Sequence, residues 1–494
     1  MEKVALKQFS VGAGVLHKYV NASNSLQAVP LYDPATPIPK RMCEAERILD
    51  SKADKWSKYW NNPDQINSTT IMFESLRQIC KLKVKEGKHS NDMIAEYDCR
   101  TLRSNAKQYK KVSKGSDHFL ASELVALPDC ALAPIAKAVD FGVVAMSWAL
   151  QLLMNLNPEL AKASGGQRTI TKTPKLYRLW AKSRAQIVKT WENTIRSKYD
   201  TAVKGMSALT AAADRSLWAE IQHYLGRESA LALWDMEKFF DSISPEVLVD
   251  ALNYTDFPPV DIIMGIQMHL APRVIQVQQL SSLPMRVDTS ILAGCFYSVP
   301  WVKATLHKGC TILQNESSRT QNPVIIKTYV DDITQAAKGT FSEVVDALIK
   351  AANRFHLFVV KANKLIIASK STIVASSSKL AQTICSELST LGITVAYSSS
   401  HRDVGVEYTA AKFRSIKAVR SRFHKAGVRQ TRIQSLSHIT RFAKHLFSTG
   451  TYNQATWGHE VVGLSNTDIL ALTRMAASSC GIHQAMKCLT STVC

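Results

Sequence analysis

Two short acidic signatures hold the residues best able to do chemistry. In Leu231-Ala-Leu-Trp-Asp235-Met-Glu-Lys-Phe-Phe240-Asp241 an apolar run leads straight into Asp235, and five residues separate that carboxylate from Asp241. In Ile325-Ile-Lys-Thr-Tyr329-Val330-Asp331-Asp332-Ile333 two adjacent carboxylates sit between apolar runs, as the turn of a β-hairpin would hold them. Like charges side by side are costly unless a cation neutralises them. Hard carboxylate oxygens suit Mg2+, with Mn2+ as a substitute. If Asp235 and Asp331 come from adjacent strands, they can bridge two metal ions ~3.5–4 Å apart. One ion would lower the pKa of an attacking hydroxyl, and the other would stabilise the leaving oxygen of an in-line phosphoryl displacement. Taken singly, each signature is also what a solvated turn or a helix-capping carboxylate offers.

The elements around these residues follow from hydrophobic periodicity. Leu231–Trp234 is long enough for a buried strand, and the run starting near Val324 reads as another. Val359–Ser369 and Thr390–Tyr397 are predicted as further strands, and Phe341–Phe355 as an amphipathic helix carrying Val344, Val345, Leu348, Ala352 and Phe355. From Ala121 to Leu225 the pattern is helical, broken at Pro128, Pro134, Pro158 and Ser164-Gly165-Gly166. The longest uncharged apolar stretch, Phe141–Leu156, falls short of the ~20 residues that cross a bilayer and reads as a buried helix. Further upstream, Val29–Lys40 reads as a proline-rich extended linker. Arg41–Trp60 reads as a helix with Ile48, Leu49, Trp56 and Trp60 on its apolar face, stopped by Asn61-Asn62-Pro63.

Composition bounds the class. The chain has 494 residues, enough for two to four domains at ~100–200 residues each, and its 46% hydrophobic content excludes global disorder. Lys and Arg number 61 against 40 Asp and Glu, a net charge of +21 that points to a polyanionic partner, nucleic acid before a membrane surface. A solvated basic enzyme surface is the plainer alternative. Residues 1–20 contain no apolar signal core, and the ten cysteines form no C-x-x-C pair. The expected location is intracellular, nuclear or cytoplasmic, with no secretion and no membrane. The basic clusters Lys81–Lys88 and Lys107–Lys114 are solvated faces or nucleic-acid contacts. Near the C-terminus, Cys480, His483, Cys488 and Cys494 do not follow a standard zinc spacing.

In order and spacing these motifs resemble a reverse transcriptase of the non-LTR retrotransposon or group II intron type. Asp235-x5-Asp241 resembles motif A, Ala293-Gly294-Cys295-Phe296-Tyr297-Ser298 motif B, and Tyr329-Val330-Asp331-Asp332 the Y-x-D-D box of motif C. Val360-Lys361-Ala362-Asn363-Lys364 resembles motif D, and Val404-Gly405-Val406 the turn of motif E. Gln167-Arg168-Thr169-Ile170 sits where the family places a fingers motif, and Lys204-Gly205-Met206-Ser207 is a faint match to a later fingers element. The likeness covers roughly residues 140–410. Motif B departs from the pattern at Ala293, which replaces a glutamine or arginine.

The resemblance implies an α+β right-hand polymerase with helical fingers, an antiparallel-sheet palm and a basic helical thumb. Its division would be 1–115 as an N-terminal extension or connector, 116–410 as fingers and palm, and 411–494 as thumb and C-terminal region. Asp235, Asp331 and Asp332 would be catalytic and hold two Mg2+ ions. Phe240 would exclude a 2′-hydroxyl and so select deoxynucleotides, unless it is a core residue. Gly294 would admit the base pair closely. Arg168 would clamp the triphosphate, unless it is a solvated loop cation. Lys364 would protonate the leaving pyrophosphate, with Lys361 competing for the role. Tyr329 would contact nucleic acid, as would Arg414, Lys417 and Arg420 on the basic helix of Lys412–Arg432. A basic membrane-surface helix has the same look. The partners would be an RNA template, a DNA primer and dNTPs; the oligomeric state stays open. The function implied is RNA-directed DNA synthesis, from a retroelement. The alternatives are a catalytically decayed nucleic-acid-binding remnant and, behind it, an RNA-directed RNA polymerase.

Overall fold

The computed structural model describes residues 45–61, 72–79, 81, 96–109, 113–161, 167–277, 280–412 and 414–480. The linker at Val29–Lys40, most of Lys81–Lys88 and the candidate zinc residues His483, Cys488 and Cys494 lie outside them. The architecture is mixed α+β, and no helix among the described residues is long and apolar enough to cross a membrane.

The elements used below are, in chain order: α1 (Ala45–Trp60), α2 (Asp129–Val144), β1 (Asn155–Ala161), β2 (Gln167–Thr169), α3 (Lys175–Ser183), α4 (Ala208–Tyr224), β3 (Glu228–Trp234), β4 (Arg273–Val277), β5 (Leu280–Ser281), α5 (Ser298–Ser317), β6 (Ile325–Tyr329), β7 (Asp332–Gly339), α6 (Phe341–Phe355), β8 (Thr372–Ala375), α7 (Ser378–Thr390), β9 (Ala396–Tyr397), β10 (His401–Asp403), β11 (Val406–Tyr408) and α8 (Lys417–Ser437).

The main sheet has the strand order β6-β7-β3-β8-β9, antiparallel except where β9 joins β8. Strand β3 lies at its centre and is covered on both faces. By the two-residue period of a strand, Ala230, Ala232 and Trp234 enter the large core with α6, while Leu231 and Leu233 meet Ala219 of α4 and Tyr408 of β11 on the other face. Helix α6 supplies Val344, Leu348, Ala352 and Phe355, all fully buried, and Phe355 stacks on Trp234 at 5.0 Å. Its start is fixed by a capping box between Thr340 and Glu343. A second sheet runs β2-β1-β4-β5, with β1 and β4 parallel. Against it α1 packs Trp56 and Trp60, which stack on each other at 5.1 Å over Ile275, Val277 and Val287.

Several expected elements differ. Phe141–Leu156 is not one buried helix: α2 ends at Val144, Met146 turns left-handed at φ 53°, and Asn155 begins β1. Phe141 and Val144 are exposed. Tertiary partners capture the chain at Trp148, whose main-chain N–H donates to Gln267 Oε1 at 3.0 Å and whose indole N–H donates to the Met264 carbonyl at 2.9 Å. Pro134, expected to break a helix, lies inside α2. Val359–Ser369 is not a strand; the helix continues from α6 as a wide turn over His356–Lys361. There Val359 and Val360 are buried, and the Phe358 carbonyl passes so close to Gly309 of α5 that a Cβ would lie 2.5 Å from it. The strand beside β3 on that side is β8 instead, with β9 at the edge. Thr390–Tyr397 is a strand only at β9, because Gly392 at φ 74° first reverses the chain after α7. The basic helix begins at Lys417 rather than Lys412, and Arg429 on it is buried.

Candidate active site

Strand pairing brings the two acidic signatures together. Trp234 pairs with Ile333 across β3 and β7, and Tyr329 pairs with Asp332 across β6 and β7, so Asp235 leaves β3 beside the turn that carries Asp331. The turn holds Val330 at φ 59°. A β-branched residue in that region costs ~1–3 kcal/mol, a strain kept only where the surroundings impose it. The main chain of Asp235 is tied to the start of β8: its N–H donates to Ser371 Oγ at 2.9 Å, and that hydroxyl donates back to its carbonyl at 3.0 Å.

Asp235 and Asp331 both line an open cavity of about 690 Å³, shared with Phe240, Asp241, Arg168, Ala293 and Gly294. Burial pushes the Asp331 carboxyl above the usual carboxylate range; its own main-chain N–H opposes the shift, and the Asp235 charge adds to it. Asp332 lines a separate hollow of about 190 Å³ with His401 and Arg402; Asp235 and Lys370 border both. Among the described residues no group of three or more His, Cys, Asp or Glu side chains is placed to hold a metal ion. The pair Asp235 and Asp331 nonetheless has the donor chemistry of a hard divalent cation, whose charge would relieve the repulsion that raises Asp331.

The walls are built from three segments. After Asp235 the chain turns through Lys238, left-handed at φ 47°, and continues to Phe240. Phe239 is buried in the core, and its ring meets Phe240 edge-on at 5.9 Å, leaving Phe240 half-buried at the cavity. The opposite wall carries Gly294 at φ 96°, a conformation glycine adopts without strain. Arg168 on β2 is exposed and closes the cavity beside Thr171, whose N–H donates to the Ala293 carbonyl at 3.4 Å.

Other expected site residues lie elsewhere. Lys364 is exposed, left-handed at φ 53°, and 3.9 Å from Glu246; neither it nor Lys361 lines the cavity. The helical continuation past Phe355 carries both away, and Lys370 and Lys238 are the lysines at the cavity. Tyr329 ends β6 opposite Asp332 and lines neither hollow. Arg414 is paired with Glu220 of α4 at 2.6 and 3.0 Å, whereas Lys417 and Arg420 are exposed on α8.

Sequence reasoning missed Trp56, Lys238, Lys370 and Arg273 as lining residues. Lys238 lay inside the acidic signature, and an arginine heading the apolar run Arg273-Val-Ile-Gln-Val was a visible anomaly. Arg273 is buried, its guanidinium brought down to about 10 by burial, with the Asp241 charge acting against the shift. It remains charged at neutral pH.

No protein-family model and no curated protein matches the sequence. Among solved structures, apo telomerase from Candida tropicalis truncated from its C-terminal domain is similar at a TM-score of 0.38 and 12% identity. The likeness covers 53% of this chain and 54% of that one, so it spans about half the telomerase chain. A similarity of that size leaves the reading of the site to its own geometry.

Proposed function

We propose that the chain is an RNA-directed DNA polymerase of retroelement origin, arranged as a right hand. In this reading the main sheet is the palm, the region carrying β2 and α3 belongs to the fingers, and α8 is the thumb helix. The observation that carries it is the placement of Asp235, just past the end of β3, and Asp331, in the turn between β6 and β7, on one cavity that also holds Phe240, Gly294 and Arg168.

Asp235 and Asp331 would hold Mg2+ through their carboxylates, with Asp332 supporting from the adjoining hollow. Bound there, two such ions supply charge neutralisation for attack of a primer 3′-hydroxyl on a nucleoside triphosphate and for departure of pyrophosphate. The chain's own residues bind and orient. Arg168 offers a bidentate guanidinium to the triphosphate. Gly294 lets the main chain approach the base pair, and the Phe240 ring fills the space a ribose 2′-hydroxyl would need. Lys370, exposed at the cavity rim, takes the role expected of Lys364, a cation beside the leaving phosphates. The net charge of +21 and the exposed Lys417 and Arg420 suit a template–primer backbone.

One observation favours a second reading, a nucleic-acid-binding remnant: Ala293 presents only a methyl group to the cavity where the resembled family places a longer polar side chain. Extension of a DNA primer on an RNA template, run with dNTPs and separately with rNTPs in Mg2+, decides. Extension with dNTPs that vanishes in Asp331→Asn supports the polymerase. Binding without extension supports the remnant, and a preference for rNTPs supports an RNA polymerase.

A further inference from the structure

Phe240 and Gly294 stand on segments that no strand pairing links, yet both line the cavity. Trp60, the last residue of α1 and fully buried, touches both segments. Its indole N–H donates to Asp241 Oδ1 at 2.8 Å. Its carbonyl accepts from the N–H groups of Asp288 at 2.7 Å and Thr289 at 3.1 Å. Two residues on, the Ile291 N–H donates to the Phe240 carbonyl at 2.7 Å. These bonds close a ring: Trp60 to Asp241, Asp241 to its neighbour Phe240, Phe240 to Ile291, and Ile291 back through Thr289 to Trp60. The segment 288–291 then runs directly into Ala293 and Gly294.

The ring is locked from below. The Arg273 guanidinium lies over the Trp60 ring at 4.5 Å and reaches to 3.9 Å from Asp241, so one carboxylate answers both the indole and a buried cation. One helical turn earlier, Trp56 lines the cavity and takes the Lys238 ammonium over its ring at 4.6 Å, beside Tyr59 at 5.3 Å. Helix α1 is itself anchored to the second sheet by buried Lys52, which pairs with Glu159 at 2.9 Å and bonds Gln167.

We propose that Trp60 is a positioning residue for sugar selection: through its hydrogen bond to Asp241 and its carbonyl's hold on residues 288 and 289, it sets the gap between Phe240 and Gly294. The proposal rests on the polymerase reading of the cavity. A gap held from behind cannot widen to admit an extra hydroxyl; once the bond to Asp241 is lost, the turn carrying Phe240 is free to recede while the ring itself stays intact.

The test is Trp60→Phe, which keeps an aromatic ring under Arg273 and removes the N–H. The ratio of kcat/KM for dGTP to that for rGTP should fall at least fivefold, mainly through a lower KM for rGTP, with template–primer affinity unchanged. Asp241→Ala, which removes the acceptor of the indole N–H, should lower the ratio as Trp60→Phe does. Loss of thermal stability in Trp60→Phe with an unaltered ratio would overturn the proposal, leaving Trp60 a core residue. Amide hydrogen exchange gives a readout that needs no activity: Trp60→Phe should speed exchange at Asp241 and Ile291. A wild-type protein that extends no primer would overturn the polymerase reading, while unchanged exchange at those two amides would overturn the ring.

Discussion

At the scale of single residues, the charge state of Asp331 ties function to stability. Its carboxyl is raised by burial and by Asp235, so the folded chain releases that proton at a higher pH than the unfolded chain does. Stability therefore falls as pH rises from the ordinary aspartate range through the raised value, and the buried Asp331 carboxylate is a liability above it without a cation. Asp331→Asn should raise the melting temperature at pH 7 in EDTA, and Mg2+ should stabilise wild type more than the mutant. Calorimetry with and without the ion measures both. The same substitution should lower primer extension at least ~100-fold, the size of a few kcal/mol of lost transition-state stabilisation. Phe240→Ala should lower the dGTP-to-rGTP ratio of kcat/KM at least ~10-fold, equivalent to ~1.4 kcal/mol of discrimination; equal falls in both rates would make the ring a core residue. Asp235, Asp331, Phe240 and Gly294 were legible in the sequence because local pattern places them, at a strand end, a hairpin turn and a glycine turn. That Lys370 reaches the cavity, rather than Lys364 or Lys361, was not, because only the backbone between them decides.

At the scale of elements, the errors share a cause. A β-branched apolar run such as Phe358-Val359-Val360 satisfies a buried strand and a buried helix equally, and periodicity does not separate them over so few residues. Contact with α5 decides for helix, through the close passage of Phe358 over Gly309. Gly309→Ala should therefore destabilise the protein by ~1–3 kcal/mol, by overpacking against a carbonyl that cannot retreat. Gly427→Ala on α8, where a Cβ meets nothing within 4 Å, should stabilise by ~0.5–1 kcal/mol. Urea unfolding of the two variants gives opposite signs if the helix passes as described. Strands β3 and β6 and helix α6 were legible because their flanking turns and caps agree with their patterns.

For the whole molecule, net charge sets how the chain meets a polyanion. Each phosphate contact adds about −0.9 to the slope of log K against log salt for duplex DNA. Lys417→Ala with Arg420→Ala should flatten the slope for template–primer binding by up to about twice that, with little change in sequence preference. A titration between low and moderate salt reads it directly, and an unchanged slope would place α8 away from the nucleic acid. What sequence could not show at this scale is the place of α1. The division at residue 115 sets it apart as an extension, yet it forms a wall of the cavity and covers the second sheet. Its partners Glu159, Gln167 and Arg273 lie far along the chain, and no local pattern encodes such distances.

That docking has a consequence for how the chain comes into being. Strand β4, whose Ile275 and Val277 receive the two stacked tryptophans, emerges from the ribosome about 210 residues after α1, some ~10–40 s at ~5–20 residues per second. Throughout that interval the apolar surface of Ile275, Val277 and Val287 that the two tryptophans cover is not yet made. The nascent chain thus carries a sticky helix through the synthesis of all those residues, and its yield in a cell depends on whatever shields that face until β4 arrives.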